Sequence, residues 1–265
     1  EFVELGGGPQ QLCIVSADER LPYDRPPLSK GYLAGNKSRD DILINPPDFY
    51  LNNGIDVRLE TRIRAVDLGR RRLYDQDGDD IEFEKLLIAT GSRVRTLDVP
   101  GGDLAGVHYL RSNADADRIL DSVGDARRAV IVGGGYIGME VGATLRGRGL
   151  DVTLIYPEDR LLARLFTPEM SLFFETYYRD RGVTLLPGHS VTAFRGDGRL
   201  RQAVLDSGDA VAADLVVAGG GVTPATELFA DTDLHLQDGG IVVNKYLQTN
   251  LRDIFAAGDV ADDVY

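Results

Sequence analysis

The stretch "AVIVGGGYIGMEVG", residues 129–142, decides how the chain folds. Ala129–Val132 is a short apolar run that suits a buried strand, and the apolar spacing from Ile137 to Arg148 suits a helix. Between them Gly133, Gly135 and Gly138 are spaced G-x-G-x-x-G. The first glycine permits a tight turn, the second lets the backbone approach a pyrophosphate, and the third lets helix and strand pack closely. The start of the helix adds N–H donors and partial positive charge. A second strand, Val152–Tyr156, completes a βαβ unit. The reading is a dinucleotide held over Gly133, Gly135, Tyr136, Ile137 and Gly138. A purely structural glycine turn is the plain alternative.

In such units an acid at the end of the second strand binds the ribose hydroxyls. Here the strand ends "TLIYPED", so Tyr156 takes the usual acidic place and Glu158 falls about 20 residues after Gly138. Glu158 is the candidate ribose ligand. It would repel a 2′-phosphate and favour NADH; otherwise it is a solvated loop acid. Arg160 and Arg164 are close enough in sequence to reverse the preference by pairing with NADPH.

Working outward, residues 11–17 (QLCIVSA) read as a buried strand, with Cys13 as a small buried hydrophobe. Residues 22–30 (PYDRPPLSK) carry three prolines and are read as neither regular helix nor sheet. A short helix (DFYLNN), a stop at Gly54 and a strand (IDVRLE) follow, then a meander over 61–87 ending in "ATGS". Helices are expected over 114–122 and 168–182. Strands are expected from Val183 and over 191–195, 200–205 and 214–218. Strands alternating with helices imply an α/β fold with parallel sheets covered on both faces, and the hairpin strands imply antiparallel inserts.

At 265 residues the chain suffices for two domains. A net charge of −13 disfavours nucleic acid as a partner. No apolar run approaches the roughly 20 residues that span a bilayer, so no membrane partner is expected. One cysteine excludes an internal disulfide or a Cys-x-x-Cys relay and points to a cytosolic, cytoplasmic setting. His108, His189 and His235 are scattered without metal-ligand spacing, so no metal site is expected.

"LLIATGSR" (86–93) and "TNLRDIFAAGDVA" (249–261) each end a strand in a small-residue turn, and Asp259 sits where a carboxylate can accept from sugar hydroxyls. Together with PYDRPPLSK they resemble the two-dinucleotide flavoprotein fold of the NAD(P)H-dependent ferredoxin reductases. That family, within the pyridine nucleotide-disulfide oxidoreductase superfamily, includes the monodehydroascorbate reductases and apoptosis-inducing factor. The likeness spans the whole chain. "VTLIYPEDRLLARLFTPEMSLFFETYYRDRGV" (152–183) resembles monodehydroascorbate reductases in particular, and "EFVELGGGPQQLCIVSADE" resembles the helix and second strand of the flavin domain.

The resemblance implies two Rossmann-like, three-layer domains with parallel sheets and antiparallel β-meander inserts. Residues 1–103 plus 237–265 would bind FAD and residues 104–236 NAD(P)H. The family's first flavin βα unit would precede Glu1 and its C-terminal interface domain would follow Tyr265, so the sequence is expected to be a fragment. Asp18 would hold the FAD adenosine ribose, Arg25 the phosphate or adenosine side, and Thr90, Gly91 and Gly258 would lie against FAD. Asp259 would accept from the ribityl chain. Lys30 and Glu140 would meet beside the reactive edge of the flavin as the catalytic pair, and Gly221 of "AGGGVTP" would lie close to the nicotinamide dinucleotide. The plain alternatives are a loop-capping acid at Asp18, a surface ion pair at Arg25, two unrelated solvated charges at Lys30 and Glu140, and an ordinary loop at 218–224.

The implied activity is a flavoprotein oxidoreductase that moves hydride from NADH or NADPH to FAD and then single electrons to an external acceptor. That acceptor is either a ferredoxin-type iron–sulfur protein or a monodehydroascorbate-like small molecule. The other reading is an NADH-responsive signalling flavoprotein with little turnover. A homodimer is compatible with either.

Overall fold

A computed structural model describes residues 2–263. The chain forms two compact units. One comprises Glu1–Tyr23, Leu43–Arg93 and Val222–Tyr265, and the other Asp24–Ile42 and Val94–Gly221. The architecture is mixed α/β, with parallel sheets and antiparallel strand sets. Among the described residues no helix is long and apolar enough to cross a membrane.

The first unit is built from short strands. Cys13–Val15 runs parallel to Asp56–Arg58 after the helix α1 (Pro47–Asn52), and Gly54 ends that helix region with φ +62°. Ile63–Asp67, Arg72–Asp75 and Asp80–Glu82 form the expected antiparallel meander. Leu86–Ile88 and Ile254–Ala256 pair in parallel. Ile88, Ile254, Ala256, Val260, Ile241, Val243 and Phe229 close the core of this unit.

Three expectations are corrected here. Residues 2–6 form turns rather than a helix, with Gly6 N on Val3 O (3.0 Å) and Gly7 N on Phe2 O (2.9 Å). The Gly6–Gly8 run, with Gly6 at φ +90°, breaks any helix there. Cys13 is exposed, because its strand has one partner strand among the described residues and its Sγ reaches out to Asp56 Oδ2 at 3.4 Å. Partial burial beside that carboxylate raises the thiol pKa. In the other unit, Pro26–Ser29 does form a regular element, one turn of 3-10 helix. Its two prolines stand at the first helical positions, where no N–H is required.

The second unit contains a five-stranded parallel sheet ordered Val183–Pro187, Asp151–Tyr156, Arg128–Val132, Leu215–Ala218, Val107–Tyr109. Its helices are α2 (Asn113–Val123), α3 (Tyr136–Gly147) and α4 (Pro168–Arg179). Ser112 and Asp115 start α2 with a capping box, and Thr167 followed by Pro168 starts α4. Alternation along the strands sorts the two faces. Val130, Val132, Ile155 and Val216 join Phe194, Leu200 and Leu205 of the antiparallel insert (Val191–Asp197, Arg199–Leu205, Ala210–Ala212). On the opposite face Ile131 and Leu154 meet α3. The strand Ala210–Ala212 was missed from sequence because only three residues follow the turn.

Residues 24–42 pack within this unit. Tyr32 donates to Asp117 Oδ1 on α2 (2.5 Å), Arg39 pairs with Asp117 Oδ2 (2.9 Å), and Arg148 Nη1 donates to Leu33 O (3.2 Å).

Asp214 pins the start of the central strands. Its carboxylate accepts from Arg128 Nη2 (2.7 Å) and Nε (3.2 Å) and from the amides of Arg127 (3.2 Å) and Arg128 (3.0 Å). The Arg128 guanidinium is the main reason its pKa falls from 3.8 to about 2. A depressed carboxylate stabilises the fold above its unfolded pKa, and that contribution is lost as pH falls through the folded value. Asp214→Asn should therefore cost about 1–2 kcal/mol at neutral pH, discounted for solvent screening. The gap from wild type should close between about pH 4 and pH 2, as read by denaturant unfolding across pH. A gap that persists at pH 2 would contradict the assignment.

Candidate functional site

In the second unit the strand Arg128–Val132 leads into the glycine turn and α3. Gly133 has φ +119°, and a Cβ there would meet Gly219 O at 2.7 Å. A Cβ on Gly138 would meet Gly133 O at 2.2 Å. Both glycines are demanded by protein packing. Gly135 is different: it is the N-cap of α3, its φ is −87°, and a Cβ on it would meet nothing within 4 Å. No side chain caps α3, so its first-turn amides are left for solvent or a ligand. Tyr136 and Ile137, which open the helix, are exposed. A loop with open space over Gly135 above an uncapped helix start fits a pyrophosphate.

The neighbouring strand Leu215–Ala218 ends in the same region. Gly219 N donates to Val132 O (2.7 Å), and Gly221 (φ +85°) has nothing within 4 Å of a Cβ position. Sequence-distant glycine loops thus flank one sheet edge, at the C-terminal ends of parallel strands, where ligands of open α/β sheets bind.

The loop after Asp151–Tyr156 is rigidly tied. Tyr156 is fully buried, with its ring directly under Gly134 and its hydroxyl 3.3 Å from Glu175 Oε1. Burial pushes its phenol pKa up, and it cannot reach a ribose. The buried Glu175 also accepts from Leu161 N (3.1 Å) and pairs with Arg179 (3.2 Å), while Ser171 Oγ donates to Leu161 O (2.6 Å). These contacts fix the loop that carries Glu158. Arg164 lies 3.7 Å from Glu158 Oε1, whereas Arg160 is engaged by Asp159 (3.0 Å) and Ala163 O (3.1 Å).

Lys30 and Glu140 meet: Lys30 Nζ lies 2.6 Å from Glu140 Oε2. Glu140 stands on the second turn of α3, and Lys30 closes the Pro26–Ser29 turn. Ser29 Oγ donates to the same Oε2 at 2.6 Å. Sequence reasoning missed Ser29, although it adjoins Lys30 in "PPLSK". Tyr178, pushed up to about 12 by burial and then by Glu140, donates to Met139 O at 3.0 Å. Arg25, just before the turn, is exposed.

In the first unit the parallel pair Leu86–Ile88 and Ile254–Ala256 delivers two small-residue turns side by side. Ala257 N donates to Ile88 O (3.0 Å). Gly91 (φ +67°) and Gly258 (φ +78°) make the turns. Thr90 Oγ1 donates to Ala225 O (2.9 Å), and Ser92 Oγ donates to Asp259 Oδ2 (2.8 Å). The turn glycines and the Asp259 carboxylate, which accepts from the buried Ser92 hydroxyl, fit a ligand bearing hydroxyls. Asp18 follows the strand Cys13–Val15, and its carboxylate takes Tyr23 OH (2.8 Å) and Arg20 N (3.1 Å). Thr90, Gly91, Gly258 and Asp259 are brought together; Asp18 lies at the end of a different strand pair.

The family model described as pyridine nucleotide-disulphide oxidoreductase matches residues 4–265. A chloroplastic monodehydroascorbate reductase 5 of Oryza sativa subsp. japonica is 38% identical over 275 residues, covering 98% of this chain and 56% of the relative. The seedling isozyme of monodehydroascorbate reductase from Cucumis sativus is 38% identical over 280 residues, covering 98% of this chain and 64% of the relative. Among solved structures, the ferredoxin reductase for the CYP199A2 system of Rhodopseudomonas palustris superposes with a TM-score of 0.91 at 34% identity, over 96% of this chain and 62% of that one. Putidaredoxin reductase, in its covalent complex with putidaredoxin, gives 0.90 at 33% identity, over 95% of this chain and 61% of that one. The chain spans about three fifths of the length of these relatives.

The glycines separate packing from ligand approach, which yields a prediction. Gly138→Ala should destabilise the second unit by about 2–4 kcal/mol, because the clash is with backbone. Gly135→Ala should leave thermal unfolding nearly unchanged, since an N-cap Gly→Ala change costs about 1 kcal/mol or less. It should nevertheless weaken NADH binding at least about tenfold, or ~1.4 kcal/mol, in a titration. Unchanged NADH affinity in Gly135→Ala would remove the ligand from this turn.

Proposed function

The chain belongs to the pyridine nucleotide-disulphide oxidoreductase family, and on that footing we propose that it is the nucleotide- and flavin-handling part of an NAD(P)H-dependent flavoprotein reductase. NADH is the preferred donor, FAD the resident cofactor, and the terminal acceptor a small one-electron oxidant of the monodehydroascorbate kind. The observation that carries the reading is the Lys30–Glu140 contact of 2.6 Å. It sets the Lys30 ammonium against a carboxylate carried by the helix that rises from the open glycine turn.

FAD, when bound, supplies two-electron acceptance and one-electron release. The protein supplies alignment and charge. The amides at the start of α3 receive the NADH pyrophosphate, with Gly133, Gly135 and Gly138 giving the backbone its close approach and Tyr136 and Ile137 bordering it. Glu158 accepts from the adenosine ribose hydroxyls and repels a 2′-phosphate. Gly221 leaves room for the nicotinamide half. Glu140 orients the nicotinamide, and the Lys30 ammonium stabilises negative charge where it develops on reduction. Asp259 accepts from the ribityl hydroxyls, with Thr90, Gly91 and Gly258 lining the turns beside it. Asp18 and Arg25 serve the adenosine and phosphate end. Among its 265 residues a lone cysteine offers no dithiol relay, so electrons pass directly to the acceptor. The likeness of 152–183 to monodehydroascorbate reductases favours the small acceptor over a ferredoxin-type protein.

Anaerobic stopped-flow mixing of the flavin-loaded protein with NADH should bleach the visible flavin band in a single fast phase. Turnover should be faster with monodehydroascorbate than with a ferredoxin. A flavin not reduced by NADH ends the reductase reading, and slow turnover with tight NADH binding would favour a signalling role. Glu158→Gln should weaken NADH about tenfold (~1.4 kcal/mol) and tighten NADPH, measured by the concentration dependence of bleaching.

A further inference from the structure

Ser29 is 6% exposed and is held at both ends by one face of α3. Its Oγ donates to Glu140 Oε2 at 2.6 Å, and its carbonyl accepts from Thr144 Oγ1 at 2.8 Å. Glu140 and Thr144 are four residues apart, so successive turns of the helix grip a single residue. Glu140 Oε2 also receives Lys30 Nζ at 2.6 Å. The other oxygen, Oε1, takes no hydrogen bond among the described residues. The Lys30 side chain is 51% exposed and that of Glu140 30%. An ion pair of such exposure is weak on its own and holds two long side chains poorly. A hydrogen bond from a buried hydroxyl to a charged oxygen is short and roughly twice as strong as one between neutral groups.

We propose that Ser29, anchored by Thr144, is a positioning residue for the Lys30–Glu140 pair. It commits Oε2 to the protein, gives the Lys30 ammonium a fixed target, and leaves Oε1 as the one open acceptor on the carboxylate. A donor such as the carboxamide N–H of a nicotinamide is then received at a single oxygen rather than at either of two. Thr144 sets the height of Ser29 along the helix and so the height of the pair.

The inference rests on the proposed reductase function for its catalytic consequence, and the test separates the two. In the purified protein, limited acylation with an amine-reactive acetyl ester, read by peptide mass spectrometry, reports how firmly Lys30 is held. Ser29→Ala, which also removes the 3.5 Å contact of Lys30 Nζ with Ser29 Oγ, should raise labelling of Lys30 by about fivefold while Lys85 and Lys245 label as in wild type, because a weak, solvated ion pair and a long hydrogen bond to Pro26 O (3.3 Å) are what remain. Ser29→Thr, which keeps the hydroxyl, should label close to wild type. Thr144→Val should fall between them. In NADH-to-flavin stopped flow, Ser29→Ala should lower the limiting rate about tenfold with less than about a twofold change in NADH Kd, the pattern of an interaction made only in the transition state. Ser29→Thr should recover most of that rate. Equal Lys30 labelling in wild type and Ser29→Ala would overturn the clamp. Raised labelling with an unchanged limiting rate would overturn its role in positioning. A wild-type flavin that NADH leaves oxidised would sink the reductase reading while the labelling still decides the clamp.

Discussion

At Gly138 and Gly142 no Cβ separates α3 from the chain beneath it. A methyl at Gly138 would sit 2.2 Å from the Gly133 carbonyl, and one at Gly142 would sit 2.8 Å from Leu154 Cδ1. The helix therefore lies flush on the parallel sheet, and everything on its other surfaces is set by that seating. Its start is forced open at Gly135, where nothing from the protein fills the space. Its far side, about half a turn round from the glycines, presents Glu140 and Thr144 to residues 29 and 30. One steric demand thus fixes both the phosphate-facing end of the helix and the placement of the charged pair.

The loop after the second strand shows a different economy. The place where an acid would usually meet a ribose holds a tyrosine, and the structure uses that tyrosine as a strut. Its ring supports Gly134 from below and its hydroxyl meets Glu175, which also receives Leu161 N. The acid two residues on is displaced outward, with its loop tied down by α4. A buried carboxylate is costly unless it is paired and hydrogen-bonded. Glu175 has Arg179, Tyr156 and a backbone amide, which explains how it is tolerated at 8% exposure.

What was legible in the sequence is what local periodicity writes down. The β–turn–α–β run from 128 to 156, the meander and the helices all follow from spacing, because each is decided by neighbours within a few residues. Contacts made across the chain were invisible. Ser29 and Glu140 are 111 positions apart, and Ser92 and Asp259 are 167 apart. No pattern around either serine distinguishes a hydroxyl that supports a carboxylate from one that caps a turn. Cys13 misled for a related reason: its flanks are apolar, yet its exposure depends on how many strands pair with its own. The opening residues misled because a likeness to a helix was carried over a triple glycine that cannot sustain one. Residues 22–30 read as an irregular proline segment, and nothing local in the residues that follow announces that Tyr32 and Arg39 will both seek Asp117.

The pairing of Leu86–Ile88 with Ile254–Ala256 has a consequence for biosynthesis. At a ribosomal rate of ~5–20 residues per second, Asp259 emerges on the order of 10–30 s after Ser92. Through that interval the Leu86–Ile88 edge waits unpaired, while all five strands of the parallel sheet, Val107–Tyr109 to Leu215–Ala218, are made. The nascent chain therefore passes through a stage with one assembled half and one exposed strand edge. That edge is where a chaperone would have most to protect.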